Sequence, residues 1–293
     1  MSYKFYHKLL LFVLLAIPKI AFCQSSDFTI QEVKFESQGI MLAGSILEPK
    51  KPIAAVVIVH GSDPVKREMD FAKILAKEGI AVLTYDKRGV GESGGVYVGP
   101  SVGTNNIDFD NLNLLSYDAS AAINVFKTHL KNKKIPLGLI GFSQAGWIIP
   151  LTAEKNKNVN FMTIFSGPVI TTLEQLRFQF YTNGNENFWD THTESDAREH
   201  TKNDPDKYQF TATNPQEPLR KLTIPGLWIF GGKDIQVPVV LSMENLDQLK
   251  KKGKKYEYIL FPKLGHNTSS SESPEPVKAA VKWIKSFNQK KKK

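Results

Sequence analysis

The stretch Gly141-Phe142-Ser143-Gln144-Ala145-Gly146 has the residue types and spacing to do covalent chemistry. An apolar run through Ile140 leads into it, and a helix-compatible run from Trp147 to Lys155 follows. A serine at a tight turn between a strand and a helix is a nucleophile elbow, in which the turn pushes the hydroxyl out at the top of a sheet. So sharp a turn excludes bulk, hence Gly141, Ala145 and Gly146 around Ser143. The helix that starts there points free N–H groups at any oxyanion that forms. The hexapeptide alone also fits an ordinary strand–helix turn with a serine at its cap, and the rest of the chain must decide.

A serine hydroxyl is a weak nucleophile unless a base lies within hydrogen-bond reach and an acid orients that base. The histidines are His7, His60, His129, His192, His200 and His266. His7 lies in an N-terminal apolar segment, His129 late in a helix, and His192 and His200 in an inserted segment; only His60 and His266 follow strands. His266, after the last strand and beside Gly265, can reach over the sheet edge and is the expected base. Asp234 follows Gly231-Gly232 after the preceding strand and is the expected acid; Asp247 is the fallback, on a helix face expected to be exposed. An oxyanion needs two backbone donors. The N–H of Gln144 is one, and the N–H of Ser62, in the His60-Gly61-Ser62 loop, is the other. His60 itself is expected to hold that loop rather than act as a base. Glycines 89, 91, 94 and 95 lack the spacing of a phosphate loop and no helix follows at once, so they form a structural turn in which Asp86 and Arg88 bind backbone. No cluster has metal-ligand spacing, and no cofactor is called for.

These residues need a scaffold that puts strand ends together. Phe28 to Glu36 and Ile40 to Leu47 alternate apolar and polar, an edge hairpin. Ala54–Val59 and Ile80–Tyr85 are continuous apolar runs, as expected of strands covered on both faces. Further strands are expected at Ile135–Ile140, Phe161–Phe165, Pro225–Gly231 and Tyr256–Phe261. Helices are expected over Glu68–Glu78, Leu112–Leu130, Pro238–Lys251 and Pro276–Phe287. Strand–helix alternation implies an α/β fold with a mostly parallel sheet and helices on both faces, with ligands beyond the carboxyl ends of the strands. His60, Asp86, Ser143, Ser166, Asp234 and His266 all follow strand ends. Residues 169–221 break the alternation and are rich in aromatics, including Phe178, Phe188 and Trp189. They are expected to form a cap or lid before the last two strands and to favour an apolar pocket.

The composition is that of a globular protein, 41% hydrophobic and 23% charged. Residues 1–23 read as a signal peptide: Lys4 and Lys8, an apolar run from Leu9 to Ile17, then Ala21-Phe22-Cys23 before Gln24. The expectation is an exported protein, periplasmic or secreted; lipidation at Cys23 fits less well because Phe22 precedes it. The organisation expected is therefore a signal at 1–23, a core from 24–168 and 222–289, the cap at 169–221, and a basic tail at 290–293. Cleavage after Cys23, the one cysteine, leaves no disulfide and no thiol nucleophile. It also leaves no membrane-spanning segment. The net charge of +9 is partly that tail and the signal lysines, and no nucleic-acid motif accompanies it.

Together, Val59-His60-Gly61, Tyr85 to Ser93, Gly141 to Gly146, Gly232 to Pro238 and Gly265-His266 resemble the α/β-hydrolase superfamily over nearly the whole chain after residue 23. Within it the chain looks most like bacterial secreted serine esterases and dienelactone-hydrolase-like proteins. The order Ser143, Asp234, His266 is the chain order of that superfamily's triads. The resemblance implies an eight-stranded type of sheet, no cofactor, and hydrolysis of a small-molecule carboxylic ester through an acyl-enzyme. Aminopeptidase and acyltransferase activities remain alternatives, with Glu186, Asp190 or Glu194 as acids for a substrate amine, and so does a non-catalytic binding protein on the same fold.

Overall fold

The computed structural model describes residues 27–289. The signal segment, Cys23 and the 290–293 tail lie outside the described residues. Eight strands form one sheet: β1 (Phe28–Ser37), β2 (Ile40–Pro49), β3 (Ala54–Val59), β4 (Ile80–Tyr85), β5 (Leu137–Phe142), β6 (Met162–Phe165), β7 (Gly226–Gly231) and β8 (Tyr256–Phe261), in spatial order β1-β2-β4-β3-β5-β6-β7-β8. The hairpin pairs antiparallel and β2 joins β4 antiparallel, while every pairing from β4 through β8 is parallel. The expected α/β fold with a mostly parallel sheet is observed.

The continuous apolar runs have the predicted cause. In β3, Ala55, Val57 and Val59 face one core and Ala54, Val56 and Ile58 face another. The first core is closed by α2 (Phe109–His129), α3 (Ala145–Lys155) and α8 (Val239–Lys251), through residues such as Ile123, Ile149 and Leu246. The second is closed by α1 (Met69–Lys77) and α9 (Glu275–Gln289), through Phe71, Leu75, Ala280 and Ile284. A strand buried on both faces has no position for a polar side chain, so alternation disappears from its sequence.

Between β6 and β7 the chain forms α4 (Thr172–Thr182), α5 (Phe188–Thr191), α6 (Glu194–Asn203) and α7 (Gln216–Lys221). Helices α4 and α6 begin with reciprocal capping boxes, Thr171 with Glu174 and Thr193 with Asp196. Most of the aromatics build a core of their own; Phe178 also lines a cavity of about 410 Å³ with Ala197, Pro238 and Leu241, separate from Ser143. Phe178 and Phe188 are fully buried in a small core of their own with Ala197, against which Tyr181, Trp189 and Ile235 pack. Phe180, by contrast, is exposed and stacks on Tyr208. Among the described residues no helix is long and apolar enough to cross a membrane.

Candidate active site

Parallel register brings the strand ends level: Val59 pairs with Gly141, and Phe142 with Phe165. Ser143 follows at once with φ 49°, in the left-handed region that costs an L-residue roughly 1–2 kcal/mol. Its N–H donates to Phe165 O at 2.9 Å and its carbonyl accepts from Gly146 N–H at 2.8 Å, which closes the turn. A Cβ at Gly141 would lie 2.6 Å from Ala145 Cβ and from Val59 O, and one at Gly146 would lie 2.6 Å from Pro168 Cδ. Both glycines are therefore required by close approach, as expected of an elbow. Gln144 caps α3.

His266 and Asp234 meet. His266 Nδ1 lies 2.8 Å from Asp234 Oδ2. The other carboxylate oxygen, Oδ1, accepts the N–H groups of Gln236 at 2.7 Å and Val237 at 2.9 Å. With Asp234 only 1% exposed, three hydrogen bonds hold its carboxylate in one orientation. The approach of the β8 loop needs Gly231, where a Cβ would meet Gly265 O at 2.1 Å. The fallback acid Asp247 is half-buried rather than exposed and accepts a hydrogen bond from the Tyr258 hydroxyl at 3.1 Å.

Ser143 and His266 line one cavity of about 640 Å³ together with Gly61, Ser62, Phe71, Phe142 and Gln236. Its acidic lining is Asp63, Glu68 and Asp70; Glu68 is pushed above the usual carboxylate range by burial first and then by neighbouring Asp70. No residue of 169–221 lines this cavity. Glu186 and Asp190 are exposed elsewhere, and Glu194 pairs with Arg198 at 2.9 Å. Among the described residues neither the Ser62 nor the Gln144 N–H has a hydrogen-bond acceptor, so both donors are available.

His60 is 3% exposed and packs edge-on to Tyr85 at 4.8 Å. Burial, and then the charge of Lys87, push its pKa down to about 3, so it stays a neutral part of the core. Asp86 binds backbone as expected, accepting the N–H groups of Arg67 and Glu92 at 2.9 Å each, and also meets the Arg67 guanidinium at 3.3 Å. Arg88 departs from the expectation. It donates to the Ser37 carbonyl at 3.2 Å, but its main partner is the Asp118 carboxylate, reached from Nε at 2.9 Å and from Nη2. A buried guanidinium needs a buried countercharge, and α2 supplies one from far along the chain.

Two sets of contacts around the site have no local sequence signal. Ser166, also left-handed at φ 49°, bonds Thr268 at 2.8 Å through its hydroxyl. Thr268 N–H in turn donates to His266 O at 2.8 Å. From the insertion, Trp189 Nε1 donates to Asp234 O at 2.8 Å and Thr182 Oγ1 to Ile235 O at 2.7 Å.

The serine aminopeptidase S33 family model matches residues 50–189, which include Ser143 but not Asp234 or His266. No curated protein matches the sequence significantly. Among solved structures, an esterase of Pyrococcus furiosus superposes with TM-score 0.64 at 20% identity, over 88% of this chain and 90% of that one. The acylaminoacyl peptidase of Pyrococcus horikoshii gives 0.63 at 16%, over 91% of this chain and 42% of that one. A Klebsiella pneumoniae protein described as a dienelactone hydrolase gives 0.62 at 17%, over 89% and 98%. At these identities the likeness is one of fold. The sheet order and these likenesses together show that the chain has the α/β-hydrolase fold.

Proposed function

We propose that the protein is an exported serine hydrolase that cleaves small carboxylic esters through an acyl-enzyme. The observation that carries this reading is a left-handed Ser143 sharing a cavity with a histidine already bonded to a buried aspartate. Ser143 Oγ attacks the ester carbonyl while His266 takes its proton; the tetrahedral oxyanion is held by the N–H groups of Ser62 and Gln144. His266 then protonates the departing alcohol, water repeats the attack on the acyl-enzyme, and the acid is released. Asp234 keeps Nδ1 of His266 occupied so that Nε2 faces the serine. Export rests on residues 1–23 read as a signal.

Peptide-type substrates form a second reading, favoured by the S33 family match. On that reading Asp63 and Glu68 of the cavity, rather than the insertion's acids, face a substrate amine.

The test is fluorophosphonate labelling of wild type beside Ser143→Ala, followed by turnover of p-nitrophenyl esters against aminoacyl p-nitroanilides. Labelling lost in the variant, with ester turnover dominant, is the expected outcome. A folded wild type that takes no label excludes an activated Ser143, and anilide turnover above ester turnover moves the peptidase reading to first place.

A further inference from the structure

Lys87 follows β4 in the Tyr85–Ser93 motif, yet its side chain is 3% exposed. Its ammonium donates to Gly61 O at 2.7 Å, Ser62 O at 2.9 Å and Gln144 Oε1 at 3.2 Å, with Asp63 O at 3.4 Å. It also lies 5.4 Å from the centroid of the Tyr97 ring. No carboxylate forms a salt bridge with it among the described residues. A buried ammonium without a salt-bridge partner is costly, and this one is satisfied chiefly by oriented carbonyl dipoles. Those carbonyls belong to the two segments that flank the nucleophile. A Cβ built on Gly61 would lie 3.8 Å from Ser143 Cβ, and Gln144 is Ser143's neighbour.

Gly61 C=O and Ser62 N–H are the two ends of one trans peptide, so they point in opposite directions. A cation on the oxygen fixes the peptide plane, turns the N–H away from itself, and polarises the amide so that this N–H becomes a better donor. The Gln144 side chain is clamped between the ammonium and Asn106 O, to which its Nε2 donates at 2.9 Å. The Ser62 carbonyl takes a further bond from the Tyr97 hydroxyl at 2.8 Å.

We propose that Lys87 is a positioning residue for the oxyanion site: its buried ammonium ties the Gly61–Ser62 peptide and the Gln144 side chain to one point, and so sets the two N–H groups that receive the developing negative charge. This rests on the serine-hydrolase reading of Ser143. Lys87 touches no reacting atom and acts through the peptide it holds. Burial pushes its pKa down to about 8, with Asp63 opposing the shift. The other titratable groups around it are neutral His60 and Asp86 beside it in the chain and Tyr97 across it, and α3 contributes only the uncharged Gln144. Deprotonation above that pH removes a donor and the polarising charge together.

The experiment compares wild type, Lys87→Met and Lys87→Arg, each checked for folding by circular dichroism, in p-nitrophenyl ester turnover from pH 6 to 10. Removing one oxyanion donor costs roughly 100-fold in kcat, so Lys87→Met is expected to lose on the order of that factor with KM within threefold of wild type. Wild-type kcat is expected to fall as pH rises through about 8, and Lys87→Arg, which keeps its charge, to lack that limb. A folded Lys87→Met with kcat within threefold of wild type overturns the proposal. If Lys87→Met does not fold, the pH profiles decide: an alkaline limb absent from Lys87→Arg supports the assignment, and a limb identical in both enzymes overturns it. Absence of fluorophosphonate labelling in wild type removes the hydrolase reading itself, a failure distinct from any result on Lys87.

Discussion

Ser143 stores conformational energy where the chemistry is proposed to happen. Its left-handed φ costs roughly 1–2 kcal/mol, and strain of this kind persists only where the surroundings over-determine it. Ser143→Gly releases that strain but loosens the unfolded chain by about 0.4–1 kcal/mol. The expected net is a gain of about 0.5–1 kcal/mol, read as a small rise in Tm, with complete loss of fluorophosphonate labelling. A lower Tm would mean that the hydroxyl supports the fold. Ser166 has the same φ but bonds Thr268 through its hydroxyl, so no such gain belongs there. The contrast also marks what a sequence discloses at this scale. The elbow is local, six consecutive residues whose sizes announce the turn. Ser166 with Thr268, Arg88 with Asp118 and Lys87 with its carbonyls are pairings across the fold, and nothing in the spacing of the residues points to them.

Among the elements, the helices between β6 and β7 are the least legible. α4 and α6 begin with capping boxes, but α5 and α7 have only four and six residues, too few for a period to repeat. Composition does not say which way their rings face, and most of them face a core of the insertion's own. The insertion also buttresses the acid loop, through Trp189 to Asp234 O and Thr182 to Ile235 O. A neutral hydrogen bond contributes about 0.5–1.5 kcal/mol. Trp189→Phe is accordingly expected to lower stability by about 1 kcal/mol and to reduce kcat/KM roughly three- to tenfold, with kcat rather than KM carrying the change. Unaltered kcat in a variant with lowered Tm would mean that the insertion stabilises the loop without aligning it. The strands, by contrast, are readable to within about two residues, because double-sided burial leaves continuous apolar runs in the central ones and the edge hairpin alternates.

The whole molecule titrates through its interior as well as its surface. His60 has a pKa near 3 in the fold and about 6.5 in the unfolded chain. Between those values the unfolded state binds the proton and the folded state does not, so stability is full above about 6.5 and is lost as pH falls toward 3. The slope from this residue is about 1.4 kcal/mol per pH unit. Urea unfolding at pH 7 and pH 5 is therefore expected to show wild type losing about 2 kcal/mol more than His60→Gln over that interval. Equal losses would mean that the ring is protonated inside the fold or that water reaches it. His60 packs against Tyr85 of the first core, and the pH dependence belongs to the fold that buries it.

The order in which the chain is made has a consequence for when it becomes competent. Ser143, Asp234 and His266 leave three different strands, β5, β7 and β8, and the second core is completed only by Ala280, Val281 and Ile284 of α9. No N-terminal fragment holds both Ser143 and the His266–Asp234 pair until nearly the whole polypeptide exists, and even then one face of the sheet is covered by α1 alone. On the proposed reading, a chain that ends before α9 is therefore expected to be silent.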